Sequence, residues 1–170
     1  NAELVTDVAF AKIVAPLSGL IEGLVDLAIG VFVLLVAAII ADTGPDLLGV
    51  AIGLPAATAL LILTSAGPVL LFSAAVVRYR DVGLIVGFGI ELFLFISPVA
   101  YPPELVPEGL RTVQYINPLA SCLELMRWGF AGSPAPTLFH ILLSVASASA
   151  LLLAGWEYFR AREREFVDII

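Results

Sequence analysis

Apolar residues run along this chain in long tracts rather than alternating with polar ones, and four tracts are long enough to cross a bilayer as helices, which takes about 20 residues. The first covers 13–41 and is interrupted only by Glu22 and Asp26. The second, 47–77, carries no charge, and Pro55 and Pro68 within it predict a kink or a division. The third, 82–99, holds one acid, Glu91; the fourth, 136–158, has His140 as its only ionisable residue ahead of Glu157. Because no tract alternates at period two, a transmembrane barrel is disfavoured and an all-α integral membrane fold is expected.

The intervening segments read differently. Residues 1–12 place Leu4, Val5, Val8 and Phe10 on or near one helical face, with Glu3, Thr6 and Asp7 elsewhere, which predicts an amphipathic helix. Its acids disfavour anionic lipid, so a protein surface is the better partner. Residues 101–135 are punctuated by proline yet too apolar for a free loop, and read as two short helices, about Glu108 to Tyr115 and Pro118 to Phe130, partly sunk in the membrane. Pro118 suits the first turn of the second, with Asn117 as its N-cap. A short tail, 159–170, follows the last span.

Composition narrows the function. The chain is 61% hydrophobic against 14% charged, which excludes a simple water-soluble domain, and its net charge of −7 is a poor footprint for nucleic acid. One cysteine (Cys122) and one histidine (His140) make neither a disulfide nor a Cys/His zinc site. Lys12 is the sole lysine and cannot end a phosphate-cradling glycine-rich loop, so ATP hydrolysis by that route is excluded. No Ser/His/Asp or Cys/His constellation points to an enzyme. The opening at Asn1, without a signal-peptide pattern, reads as a piece of a longer protein.

Orientation follows from the basic residues. An N-terminus in the cytoplasm puts Lys12, Arg78, Arg80, Arg160, Arg162 and Arg164 inside and only Arg111 and Arg127 outside, as the positive-inside rule requires. Glu22 and Asp26 share one helix face and should point inward, because an acid at membrane depth costs about 2.5–3.5 kcal/mol or more unless it meets protein or water. They read either as a proton or cation pathway or as groups bonded to neighbouring backbone. Three ridges of small residues, Gly19 with Gly23, Gly83 with Gly87 and Glu91, and Ala146 with Ala150 and Ala154, predict close helix contacts. The turn Arg78-Tyr79-Arg80-Asp81 reads as a topology anchor or as a docking surface for a cytoplasmic partner.

The order of these motifs is distinctive. The segments Asn1-Ala2-Glu3-Leu4-Val5 leading to Phe10 and Lys12, then Val77-Arg78-Tyr79-Arg80-Asp81-Val82, Ser97-Pro98-Val99-Ala100-Tyr101-Pro102, Ile116-Asn117-Pro118-Leu119 and Phe166-Val167-Asp168-Ile169-Ile170 together resemble the permease subunit of type 2 ABC exporters, in the branch that exports polysaccharides, O-antigen and teichoic acid. The resemblance covers the whole chain, and departs from the family at Asp7, Ala11 and Lys12, where a basic residue, a proline and an arginine are usual. It implies that two spans and an interface helix precede the chain. Glu3, Leu4, Val5, Phe10 and Lys12 would belong to a cytoplasmic coupling helix that docks on a separate ATPase subunit. Arg78, Tyr79, Arg80 and Asp81 would form a second contact, and 101–135 would hold re-entrant extracellular helices. The resemblance implies further that a second permease copy completes a channel for a glycan or lipid-linked substrate, that ATP and Mg bind to the partner ATPase, and that the chain itself carries no cofactor and transforms nothing. It places the chain in the plasma (inner) membrane with both ends cytoplasmic. Phe95, Tyr101 and Tyr115 are the aromatic candidates for stacking on sugar near the exit. The alternatives are an ion-coupled secondary transporter or channel built on Glu22, Asp26 and Glu91, a membrane scaffold, or a drug- or lipid-exporting ABC permease.

Overall fold

The computed structural model describes residues 2–41, 45–79, 81–99, 101 and 105–162, with backbone alone for 2–13, 15, 94, 108, 110 and 111. The described residues form helices only: α1 (Ala2–Ile40), a π-helical turn (Gly49–Gly53), α2 (Leu54–Arg78), α3 (Val82–Ile96), α4 (Glu108–Gln114), α5 (Pro118–Ala131) and α6 (Leu138–Arg162). Three stretches are long and apolar enough to cross a membrane, Pro16–Ile40, Gly49–Arg78 and Leu138–Arg162. The protein is an all-α integral membrane protein.

Of the four expected apolar tracts, three form helices of spanning length among the described residues and 82–99 holds the shorter apolar helix α3. α3 has 15 residues, and at ~1.5 Å per residue it is roughly 22 Å long against an apolar membrane core of about 30 Å. It stops early because a residue preceding proline avoids helical backbone. Ser97, ahead of Pro98, is extended at φ −81° and ψ 143°. At the other end of the chain, no break separates the expected coupling helix from the first span, since α1 runs unbroken through Lys12 and Pro16.

α2 and α6 form the centre of the bundle and run parallel. Leu60 packs with Ala148 and Cys122, Gly67 meets Leu151 and Gly155, and Leu70 and Ala74 meet Phe159, so position rises together along both helices. The contact is backbone on backbone: a methyl at Gly155 would stand 2.2 Å from the Gly67 carbonyl oxygen. Leu17 of α1 closes the Leu70–Phe159 cluster, together with Leu152 and Trp156. Pro55 falls in the first turn of α2; its missing N–H leaves the preceding backbone free to widen, and the π turn lies there. That turn presents Gly49 and Gly53 to α5, where added methyls would lie 2.7 Å from the Gly129 Cα and 2.8 Å from the Leu125 oxygen.

The expected ridges do not serve these contacts. Among the described residues nothing lies within 4 Å of where a methyl on Gly19, Gly23, Gly83 or Gly87 would sit, and Ala146, Ala150 and Ala154 are exposed. The helices instead approach at Gly49, Gly53, Gly67, Gly129 and Gly155.

Candidate functional site

Two of the sequence motifs meet where α3 ends and α5 begins. Ser97 and Pro98 are fully buried. Asn117 uses its side chain in both directions: Oδ1 accepts from the Leu119 N–H at 3.1 Å and caps α5, while Nδ2 donates to Ser97 Oγ at 2.8 Å. The same side chain therefore starts one helix and ties it to the end of another. Ten residues along α5, Arg127 Nη2 donates to the Pro98 carbonyl at 2.8 Å and to the Tyr101 carbonyl at 3.3 Å. The Tyr101 hydroxyl in turn donates to the Ile96 carbonyl at 3.2 Å. Arg127 Nη1 and Gln114 Oε1 are buried without a hydrogen-bond partner among the described residues.

A second polar group joins the α4–α5 turn to α6. Ser144 Oγ lies 3.0 Å from the Tyr115 carbonyl and 2.7 Å from Ser121 Oγ. Ser121 Oγ lies 3.3 Å from the His140 carbonyl. The Tyr115 ring stacks on His140 with centroids 3.7 Å apart and an angle of 11° between planes. Its hydroxyl donates to Glu124. Buried hydroxyls and carbonyls are costly unless paired, and these pairings fix the turn against both helices. Within this layer the polar groups hold backbone in place, and no arrangement of nucleophile, base and oxyanion donor emerges. Among the described residues no three His, Cys, Asp or Glu side chains converge on a point that could hold a metal.

The opposite end of the bundle is basic and aromatic. Parallel packing brings the C-terminal ends of α2 and α6 to the same side. There the Arg78 guanidinium sits over the Tyr79 ring at 5.4 Å, Arg160 over Trp156 at 5.8 Å and Arg162 over Tyr158 at 5.7 Å. Asp81 opens α3, its carbonyl accepting from the Ile85 N–H, and Arg80 lies outside the described residues. Glu3, Leu4, Val5, Phe10 and Lys12 belong to the first turns of α1, with their side chains outside the description.

Several predicted residues take other places. Glu22, Asp26 and Glu91 are all exposed on this chain. Phe95 is exposed, Tyr101 half-buried, and Tyr115, at 4% exposure, is taken up by His140 and Glu124 inside the bundle rather than offered at an exit. Arg127, Ser121 and Ser144 join Glu124 in the polar layer, and no motif marked those three for it. The signal for Arg127 was present as a lone base in an apolar, proline-flanked helix, but its partners are carbonyls, which no side-chain pattern reveals.

The family model described as ABC-2 type transporter matches residues 6–131, from α1 to the end of α5, and takes in both meeting motifs together with Arg127. The chain belongs to the ABC-2 type transporter family. Over 173 aligned residues this ABC-2 chain is also 27% identical to the O-antigen export system permease protein RfbA of Klebsiella pneumoniae, across all of its own length and 65% of the relative's. The chain thus spans about two thirds of that relative. The motif resemblance to type 2 ABC permeases of the polysaccharide branch agrees with both findings.

Proposed function

We propose that this chain is the larger part of an exporter permease that carries a polysaccharide or lipid-linked glycan outward across the inner (plasma) membrane, as one of two copies driven by separate ATPase subunits. The observation that carries this reading is the ABC-2 match over residues 6–131, joined to the similarity with an O-antigen export permease. The basic ends of α2 and α6 support a cytoplasmic placement of Arg78, Arg160 and Arg162. With the first turns of α1 on that side, Glu3, Leu4, Val5, Phe10 and Lys12 form the main ATPase contact, and Tyr79, Arg80 and Asp81 extend it.

Physically, closure of ATP-loaded subunits pushes on α1, which is unbroken from Ala2 to Ile40. A rigid helix passes that displacement through the membrane without a joint at its interface. ATP and Mg belong to the partner, and the chain makes and breaks no covalent bond.

The test is co-expression of the full-length gene with its neighbouring genes, purification of what associates, and reconstitution in vesicles. ATP-dependent glycan translocation with a co-purified ATPase is the expected result. Uptake driven by a proton gradient in the absence of nucleotide would overturn the proposal, and ATP-driven efflux of drugs or lipids without glycan would move it to the other exporter branch.

A further inference from the structure

α3 stands clear of the chain along most of its length. Leu84, at 80%, Ile85, Phe88, Ile90 and Phe95 are exposed, as is Ile96, at 67%, and the next two residues, Ser97 and Pro98, are fully buried. At its inner end the helix is continuous with the Arg78–Asp81 turn, where the Val82 N–H donates to the Tyr79 carbonyl at 3.0 Å. At its outer end it is gripped twice by side chains of other elements, Asn117 on Ser97 and Arg127 on the carbonyls of Pro98 and Tyr101. A hydrogen-bonded helix gripped at both ends passes a displacement along its axis.

From this we infer that Arg127 and Asn117 form a clamp through which α3 passes displacement between the cytoplasmic Arg78–Asp81 turn and the outer layer of α4 and α5, with Arg127 as the positioning residue. The inference rests on the exporter reading and adds to it a route by which the second cytoplasmic contact reaches the outer face. Arginine suits the task because its planar guanidinium holds two carbonyls from one nitrogen in a fixed orientation. Both acceptors are backbone, so the grip follows the path of the chain after α3 and not any one side chain. Asn117 adds a second point of attachment that is itself locked to the first turn of α5. A push on the inner end of α3 therefore reaches α5 through these two grips.

The experiment uses the full-length permease with its ATPase in vesicles, measuring complex yield, ATP hydrolysis, glycan export and thermal stability. Arg127→Gln should leave yield and hydrolysis within about twofold of the parent while cutting export about tenfold, so that ATP spent per glycan rises by the same factor. Arg127→Lys, which keeps one charged donor, should recover export to within about threefold. Ser144→Ala is the control: it breaks bonds in the same layer that do not touch α3, and should lower stability, hydrolysis and export together. If Arg127→Gln lowers hydrolysis and export in step with folded complex, as Ser144→Ala does, the clamp is only structural and the inference fails. Should Arg127→Gln not assemble, Ser97→Ala decides, because an unchanged ratio of hydrolysis to export in that variant refutes the clamp. A parent complex that hydrolyses ATP without exporting glycan would instead refute the functional reading, and the coupling role with it.

Discussion

Replacing Gly155 with alanine tests the parallel α2–α6 contact on which the bundle rests. The new methyl would meet the Gly67 backbone at 2.2 Å from oxygen, 2.8 Å from the carbonyl carbon and 3.0 Å from Cα. No rotamer change relieves this, because every neighbour is main chain. Since non-bonded carbons settle near 3.5–4.0 Å, the helices must part by roughly 1 Å or more, and overpacking of this kind costs about 1–3 kcal/mol. Part of that is offset by the helix preference of alanine over glycine, about 1 kcal/mol. The net loss then reaches up to about 2 kcal/mol, a factor of as much as roughly 30 in the folding equilibrium. Titration of purified permease in mixed dodecylmaltoside and SDS micelles, followed by tryptophan fluorescence, should show the midpoint falling for Gly155→Ala and for Gly67→Ala. The double variant should lose less than the sum, because helices already separated accommodate the second methyl. Gly83→Ala, with nothing described within 4 Å of its added methyl, should hold or raise the midpoint, because only the helix preference of alanine acts there. An unchanged midpoint for Gly155→Ala, or an equal shift for Gly83→Ala, would refute the reasoning.

Tyr115→Phe removes the hydroxyl bonded to Glu124 while keeping the stack on His140, and should cost about 1–3 kcal/mol because a half-buried carboxylate loses its donor; the same micelle titration measures it. In a background carrying Cys122→Ala, cysteines placed at Thr6 and Tyr79 should resist a membrane-impermeant maleimide added to intact cells, whereas one at Thr112 should label. Labelling at Thr6 or Tyr79 would invert the proposed topology.

Local chemistry explains what could be read from the chain. Asn117 ahead of Pro118 is a capping pattern, and the cap forms as that pattern requires. The prolines and apolar tracts likewise locate the helices, and Ser97-Pro98 marks where α3 stops. Which small residues meet was illegible, because Gly83 and Gly155 look alike in a hydropathy pattern and differ only in what the fold brings opposite them. The same holds for Arg127. Its partners are two main-chain oxygens positioned by a turn elsewhere, and side-chain identity carries no trace of them. What covers Glu22 and Asp26 was equally illegible, since the described helices bury α1 at Ala38 and touch it at Leu17.

The pairing of α2 with α6 also bears on how the protein is made. The partner that fills the face of Gly67, Leu70 and Ala74 is the last helix of the described chain, so a ribosome has synthesised α1 to α5 before the central contact can close. Until then α2 waits in the bilayer with its closest-packing face turned to lipid. Contacts between distant parts of a chain form late and leave intermediates open to quality control. A nascent permease stalled or truncated ahead of Leu138 therefore presents membrane proteases with an unfinished core, and its half-life in the cell should fall well below that of chains that have received α6.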